Sequence, residues 1–413
     1  MATEPHRAPP RAAAAPGPVV IVGAGLAGCR VAARTGGVLI GDEAHAPYNR
    51  VLLAEVLAGR YGPGVIALPP HPGTLLHTRA TRVDRATRTV HCADGSEVGY
   101  GTLVLATGSD PVLPPLRGLP GDRALPSGVH AFRTLDDCLA LSAAVRPCAA
   151  AVVVGGGLLG VSAARALARR GARVVLAQQA GRLLERQLDP RAAALVRRHL
   201  TGLGVQVRTE CRVRGARVRG GAVRGVELAD GHVLDCELLV LACGVRPRTS
   251  LAAAAGLAVR RGVVVDAELR TSDPDVRAVG DCAEHDGVVY GLAAPALDQA
   301  DTLADALAPP HRAARYRGTR SLTRLTLPGH GAPCGPLDVA AFGEVEPRPG
   351  DDVVQLSDAT RGVHRRVLVR GDRLVGGVLI GDLDTVGALA RAWEDGVLAD
   401  APLLHLLTHD GGR

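Results

Sequence analysis

The chain is 413 residues long, 47% hydrophobic but only 2% aromatic, and carries a formal charge of +7. That length exceeds one compact core and fits roughly two to three domains packed by Val, Leu and Ala. Every basic residue is arginine, which excludes Schiff-base chemistry and a lysine-bearing phosphate loop.

Residues 1–17, MATEPHRAPPRAAAAPG, lack the apolar run of a signal peptide and are expected to form a disordered tail. The first ordered segment, VVIVGAGLAGCRVAARTGG, is an apolar strand running into Gly23, Gly25 and Gly28. That spacing is the turn of a dinucleotide-binding βα unit. Its first glycine permits the tight turn, the second admits a pyrophosphate, and the third lets helix and strand touch. The strand GVLIGDE follows and ends in acids. Glu43, with Asp42 as second choice, is placed to accept hydrogen bonds from a ribose. Further on, TRTVHCADGSEVGYGTLVLATG reads as two strands around Asp94-Gly95 and then a buried strand ending at Thr107-Gly108.

The pattern then repeats. GGGLLG at 155–160 opens a helix, ARVVLAQQ supplies the next strand, and an Asp230-Gly231 turn precedes LLVLACG. From Gly23 to Gly108 is 85 positions, and from Gly155 to Gly244 is 89. Agreement in order and spacing implies two nucleotide-binding modules of one architecture. The basic run RVRGARVRGGAVRG at 212–225 alternates arginine with valine and glycine, as in a hairpin with one wet face. It is therefore not assigned to nucleic acid. Nine cysteines include no C-x-x-C spacing, which argues against a zinc ribbon, a local iron–sulfur motif or an adjacent redox disulfide. No metal site is expected. Unpaired cysteines and the lack of a membrane-length apolar run lead to the expectation of a cytoplasmic chain.

Several longer stretches, PYNRVLLAEVLAG (47–59), RLLERQLDP (182–190), VRAVGDCAEH (276–285) and DRLVGGVLIGDLDTVGALARAWEDG (372–396), carry a family resemblance. The chain resembles the flavoproteins with two dinucleotide-binding domains, the pyridine nucleotide-disulfide oxidoreductase superfamily. It is most similar to the FAD/NAD module of assimilatory nitrite reductase large subunits and nitrate reductase electron-transfer subunits. The implied fold is α/β, with two Rossmann-like FAD- and NAD(P)-binding domains of glutathione-reductase type. Each is a parallel sheet plus a β-meander, and a small C-terminal α+β domain follows. The implied division is 18–118 with 245–318 for FAD, 119–244 for NAD(P), and 319–413 for an interface-like C-terminal domain.

The resemblance also implies residue roles. Gly23, Gly25 and Gly28 would cradle the FAD pyrophosphate, with Glu43 on the ribose and Arg50 along the nucleotide. Ala80 would approach the adenine through its backbone, and Thr107 and Gly108 would form the pocket wall. Asp281 would meet the ribityl chain or pyrophosphate, and Pro295 and Gln299 would lie near the isoalloxazine. Gly155, Gly157, Leu158, Leu159, Gly160 and Gly244 would hold NAD(P)H.

Three departures stand out. Glu55 occupies the place of a lysine that some relatives carry near the flavin, and Ser162 that of a glutamate in the second module. The ribose-binding acid of that module is replaced by Gln178, with Arg182 close in sequence, which leaves NADH and NADPH both open. The implied activity is transfer of electrons from NAD(P)H through FAD to an iron–sulfur, sirohaem or rubredoxin-type protein, in nitrate or nitrite assimilation. A ferredoxin or rubredoxin reductase for another acceptor, and a flavin-bound scaffold with a degraded NAD site, are the alternatives. A homodimer is left open. His364, His405 and His409 lack metal spacing and are expected at the surface or at helix ends.

Overall fold

The structure, a computed structural model, describes residues 17–119, 124–309, 312–329, 335–358 and 360–396. Of the expected 1–17 tail all but Gly17 lies outside these residues, as do Cys334, His405 and His409.

The fold is α/β. The first apolar run forms the strand Val19–Val22 at the centre of a five-stranded parallel sheet. Its neighbours are Val38–Gly41 on one side and Thr102–Leu105 on the other, with Leu75–His77 and Val276–Ala278 at the edges. Both central strands are continuously apolar because helices and loops cover both faces of the sheet. A three-stranded antiparallel meander, Ala80–Asp84, Thr89–Cys92 and Glu97–Gly99, crosses over it.

The second module repeats this plan strand for strand. Gln206–Arg208, Arg173–Ala177, Ala150–Val154, Leu238–Leu241 and Val129–Ala131 make a parallel sheet. Its meander is Val213–Arg219, Ala222–Leu228 and Val233–Asp235. The basic run is its hairpin. Arg214, Arg217, Arg219 and Arg224 face solvent, while Val213, Val223 and Val226 are buried. The chain passes between modules through a two-stranded antiparallel ribbon, Ser109–Pro111 against Val245–Pro247.

The repeat extends to individual glycines. Gly23 has φ +115°, and a Cβ there would lie 2.1 Å from the Ala106 carbonyl oxygen. Gly155 has φ +108°, with a Cβ 2.3 Å from the Ala242 carbonyl oxygen. A methyl on Gly28 would sit 1.9 Å from the Gly23 oxygen, and one on Gly160 would sit 1.8 Å from the Gly155 oxygen. These four positions exclude any side chain because backbone already fills the space. At Gly25 and Gly157, by contrast, a methyl would meet nothing within 4 Å. Both face open space, and Gly25 lines a cleft.

The C-terminal part is a five-stranded antiparallel sheet in the order Leu322–Leu327, Leu337–Gly343, Arg373–Ile380, Val363–Arg370 and Asp352–Asp358. One face, through Leu327, Val339, Ala341, Val378 and Ile380, joins the core of the second module. The other buries Phe342, Val367 and Leu379 against the helix Val386–Asp395.

His364 corrects the surface expectation. It is fully buried, and its Nε2 meets Asp189 Oδ2 at 2.9 Å. Nothing in its local sequence marks it as buried, because the partner comes from 175 positions away in another sheet's neighbourhood.

Candidate functional site

The helix Leu26–Thr35 begins at Gly25, which offers no side-chain cap, and its first turn has no acidic residue. Its free N–H groups therefore point into open space, the standard situation for an anion site. That space is a cleft of about 1020 Å³, open solvent at its mouth included. Its volume is at the upper end of ordinary small-molecule pockets, about 300–1,000 Å³, and suits an extended ligand.

Gly23, Gly25, Asp42, Glu43, Arg50, Thr107, Gly108 and Asp281 all line this cleft, so the structure brings together most of the residues assigned to the first nucleotide. Gly28 lies behind it, as the contact with Gly23 requires. Glu43 closes one end. Its Oε2 accepts from the Tyr48 hydroxyl at 2.5 Å and its Oε1 from Arg50 Nη2 at 3.1 Å. Tyr48 Oη in turn accepts from the Leu135 N–H at 2.8 Å, tying this end to the helix Leu135–Ala144 of the second module. Burial, opposed by Arg50 and assisted by Glu43, pushes the Tyr48 phenol up, so it remains a proton donor.

Next to Glu43, bridged by Arg50, whose Nη1 donates to the Arg133 carbonyl at 3.2 Å, Arg133 Nη2 donates to Ser109 Oγ and Asp281 Oδ2, both at 2.7 Å, while Ser109 donates to the same carboxylate oxygen at 2.8 Å. Burial and the nearby Arg50 hold the Arg133 guanidinium below its usual range, against the pull of Asp281. Arg50, Arg133 and Arg248 all line the cleft, where they would favour the negative charge of a bound pyrophosphate. Arg248 pairs with Asp110 and lies 3.6 Å from Asp42, and its carbonyl accepts from the Thr107 hydroxyl at 2.8 Å. Sequence alone does not single out Tyr48, Ser109, Arg133 or Arg248. Arginines are everywhere in this chain, and the partners of these residues come from distant segments. The open glycine cradle, uncapped helix and guanidinium wall fit the diphosphate and ribose of FAD.

Besides Gly28, three assigned residues stand outside the cleft wall. Ala80 begins the meander strand Ala80–Asp84. Pro295 is buried in the first turn of the helix Ala293–Leu307. Gln299 is buried as well, and its Oε1 accepts the Gly280 N–H at 2.7 Å. Its place is beneath the turn that presents Asp281. The helix itself starts without a side-chain cap or an early acid, and Leu292, Ala293 and Ala296 line the cleft. A second helix N-terminus thus faces the ligand space, where it favours negative charge. Among the described residues no cysteine lines the cleft, and burial pushes the Cys243 and Cys138 thiols up to about 11, away from reactive thiolates.

In the second module the helix Leu158–Arg169 starts at Gly157, again without a cap or an acid in its first turn. Leu158 and Leu159 form that turn half-buried, with Gly160 beneath. Gln178 is placed at the end of its strand, but its Oε1 accepts the Gly156 N–H at 2.7 Å and its Nε2 reaches the Arg182 carbonyl at 3.4 Å. Arg182 donates from Nε to the Leu188 carbonyl at 3.0 Å, and from Nη2 to the Glu185 carbonyl at 3.3 Å and to Glu346. Gly244 lies at the ribbon, its carbonyl accepting from Val112 N–H at 2.9 Å. Glu55 is paired across the module boundary with Arg165, 2% exposed, and with Arg60 at 3.1 Å. Its carboxylate thus serves the junction between modules and does not line the cleft. Among the described residues no group of three or more His, Cys, Asp or Glu is arranged to hold a metal, and no helix is long and apolar enough to cross a membrane.

A family model described as pyridine nucleotide-disulphide oxidoreductase matches residues 17–300. The nitrite reductase [NAD(P)H] of Bacillus subtilis is 34% identical over 379 residues, which is 88% of this chain and 45% of that protein. The assimilatory nitrate reductase electron transfer subunit of the same organism is 33% identical over 354 residues, 84% of this chain and 44% of that one. The chain thus spans less than half the length of these two curated relatives. Among solved structures, the covalent putidaredoxin reductase–putidaredoxin complex superposes with a TM-score of 0.81 at 26% identity, covering 95% of this chain and 98% of that one.

Proposed function

The chain belongs to the pyridine nucleotide-disulphide oxidoreductase family, and from that premise we propose that it is an FAD-dependent NAD(P)H oxidoreductase passing electrons to a protein acceptor. FAD belongs in the first cleft and NAD(P)H at the turn opening at Gly155. The same reading divides the chain into 18–118 with 245–318, 119–244 and 319–413. Bound FAD supplies the chemistry of taking up a hydride and releasing electrons singly. The chain supplies position and charge: the Gly25 and Gly157 turns fix two pyrophosphates, and the helix Ala293–Leu307 favours negative charge at its N-terminus. The acceptor is an iron–sulfur, sirohaem or rubredoxin-type protein, and the setting is cytoplasmic nitrate or nitrite assimilation.

The observation that carries this reading is the duplicated open cradle. Two helix N-termini lack side-chain caps, and each is preceded by a glycine with free space where a side chain would stand. A scaffold without nucleotide turnover has no use for the second. The test is anaerobic mixing of the FAD-loaded protein with NADH or NADPH. A reductase loses its yellow absorbance within the mixing experiment and then turns over ferricyanide. Persistence of the flavin spectrum with both nucleotides refutes the reading.

A further inference from the structure

We infer that the second module selects NADH over NADPH, and that Glu346 of the C-terminal domain enforces the choice by holding Arg182. The inference rests on the assignment of NAD(P)H to that module. In a dinucleotide fold the adenosine ribose lies at the end of the strand after the glycine turn, where an acid serves NAD and a nearby arginine serves NADP. Here that place is Gln178. A methyl on Gly156 would lie 3.0 Å from Gln178 Cβ, so the amide stands directly against the turn. Gln178 and Gln179 are neutral, and Arg182 is the first cation after them.

Arg182 could take a 2′-phosphate only with free N–H groups. Its Nε is committed to the Leu188 carbonyl, and its Nη2 to the Glu185 carbonyl and the Glu346 carboxylate. The carboxylate comes from the loop between Leu337–Gly343 and Asp352–Asp358 of the C-terminal sheet. It is itself 62% exposed, against 30% for the arginine. A phosphate approaching this corner therefore meets an arginine already paired through Nε and Nη2 and a solvent-facing negative charge beside it. A ribose hydroxyl, being uncharged, meets neither obstacle. Glu346 is on this view a positioning residue for specificity, contributed by a domain outside the nucleotide module. Arg208, whose carbonyl accepts from the Gln178 N–H on the adjacent strand, is the rival cation.

The test pairs kinetics with binding. Ferricyanide reduction by the FAD-loaded enzyme gives kcat and KM for each coenzyme. Titration calorimetry gives the affinities of 5′-AMP and adenosine 2′,5′-bisphosphate independently of the flavin. The wild type should favour NADH through KM, and 5′-AMP over the bisphosphate, by at least about tenfold, the scale of one partly screened charge contact. Glu346→Ala should narrow both ratios by about tenfold, and Glu346→Gln should narrow them in the same direction. Adding Arg182→Ala to Glu346→Ala should cancel the gain, which a general loosening of the fold would not do. Equal use or preference for NADPH in the wild type, or unchanged ratios in both Glu346 variants, overturns the inference while leaving the reductase assignment in place. Absence of binding by either adenosine phosphate, with no reduction by either coenzyme, overturns that assignment as well.

Discussion

Gly25→Glu should purify as a folded but colourless protein, whereas Gly157→Glu should remain yellow and fail to be reduced by nicotinamide nucleotides. Both glycines sit at extended φ/ψ, −88°/−171° and −78°/−176°, so glutamate fits the backbone without strain. Neither new Cβ meets an atom within 4 Å. An acid at the start of a helix is mildly favourable, so folding should survive. The harm falls on the ligand. A carboxylate about 4 Å from a diphosphate, at an effective dielectric near 20, opposes it by about 4 kcal/mol per charge pair. That is roughly a thousandfold in affinity for a single pair. Flavin content by absorbance and anaerobic bleaching by NADH separate the two variants. The reverse pattern, flavin lost in Gly157→Glu and bleaching lost in Gly25→Glu, would exchange the module roles.

These glycines are legible in the sequence because their constraint is local. Strand, turn and helix N-terminus lie within about ten consecutive residues, and the same is true of the meander turns at Gly95 and Gly231. The repeat makes each half a check on the other. The side-chain partnerships are not legible, because the fold creates them between distant segments. Arg133 and Asp281 are 148 positions apart, and Arg182 and Glu346 are 164 apart. Gln178 and Arg182 show the cost of reading position without partners. Their places beside the glycine turn follow from the strand pattern, but the Gln178 amide turns to the Gly156 N–H and the Arg182 carbonyl, and one bond of Arg182 reaches Glu346 in a loop of the third domain. Glu55 is similar. The sequence marks its departure from the family, and the structure supplies the reason: a buried arginine, Arg165, opposite it.

Asp189→Ala should be the most damaging single change away from the clefts. Asp189 is 1% exposed and does two jobs at once. Its Oδ1 caps the helix Pro190–Gly202 by accepting from the Arg191 and Ala192 N–H groups, at 2.9 and 3.3 Å. Its Oδ2 accepts from His364 Nε2, whose Nδ1 lies 2.8 Å from Ser357 Oγ. Truncation loses a cap, about 1 kcal/mol, and leaves a buried imidazole donor unpaired, about 1–3 kcal/mol. The combined loss of about 2–4 kcal/mol should lower the calorimetric midpoint by several degrees. Asp189→Asn, which can keep the cap, should cost less and should change the acid response. Burial alone would raise the Asp189 pKa, but the hydrogen bond and charge of His364 and the two helix N–H groups outweigh it and hold the carboxyl below its ordinary 3.8. A depressed folded-state value means that this contribution is complete above the unfolded pKa, about 3.9, and is lost as pH falls through the folded value. The part of the stability gap between wild type and Asp189→Asn that comes from the carboxylate should therefore be present above about pH 4 and shrink as pH falls below it. A gap that persists unchanged into that range would remove the carboxylate from the account. The cap also anchors the end of the 182–188 loop, where Leu188 receives Arg182. Asp189→Ala should consequently raise KM for the reducing nucleotide while leaving flavin content intact.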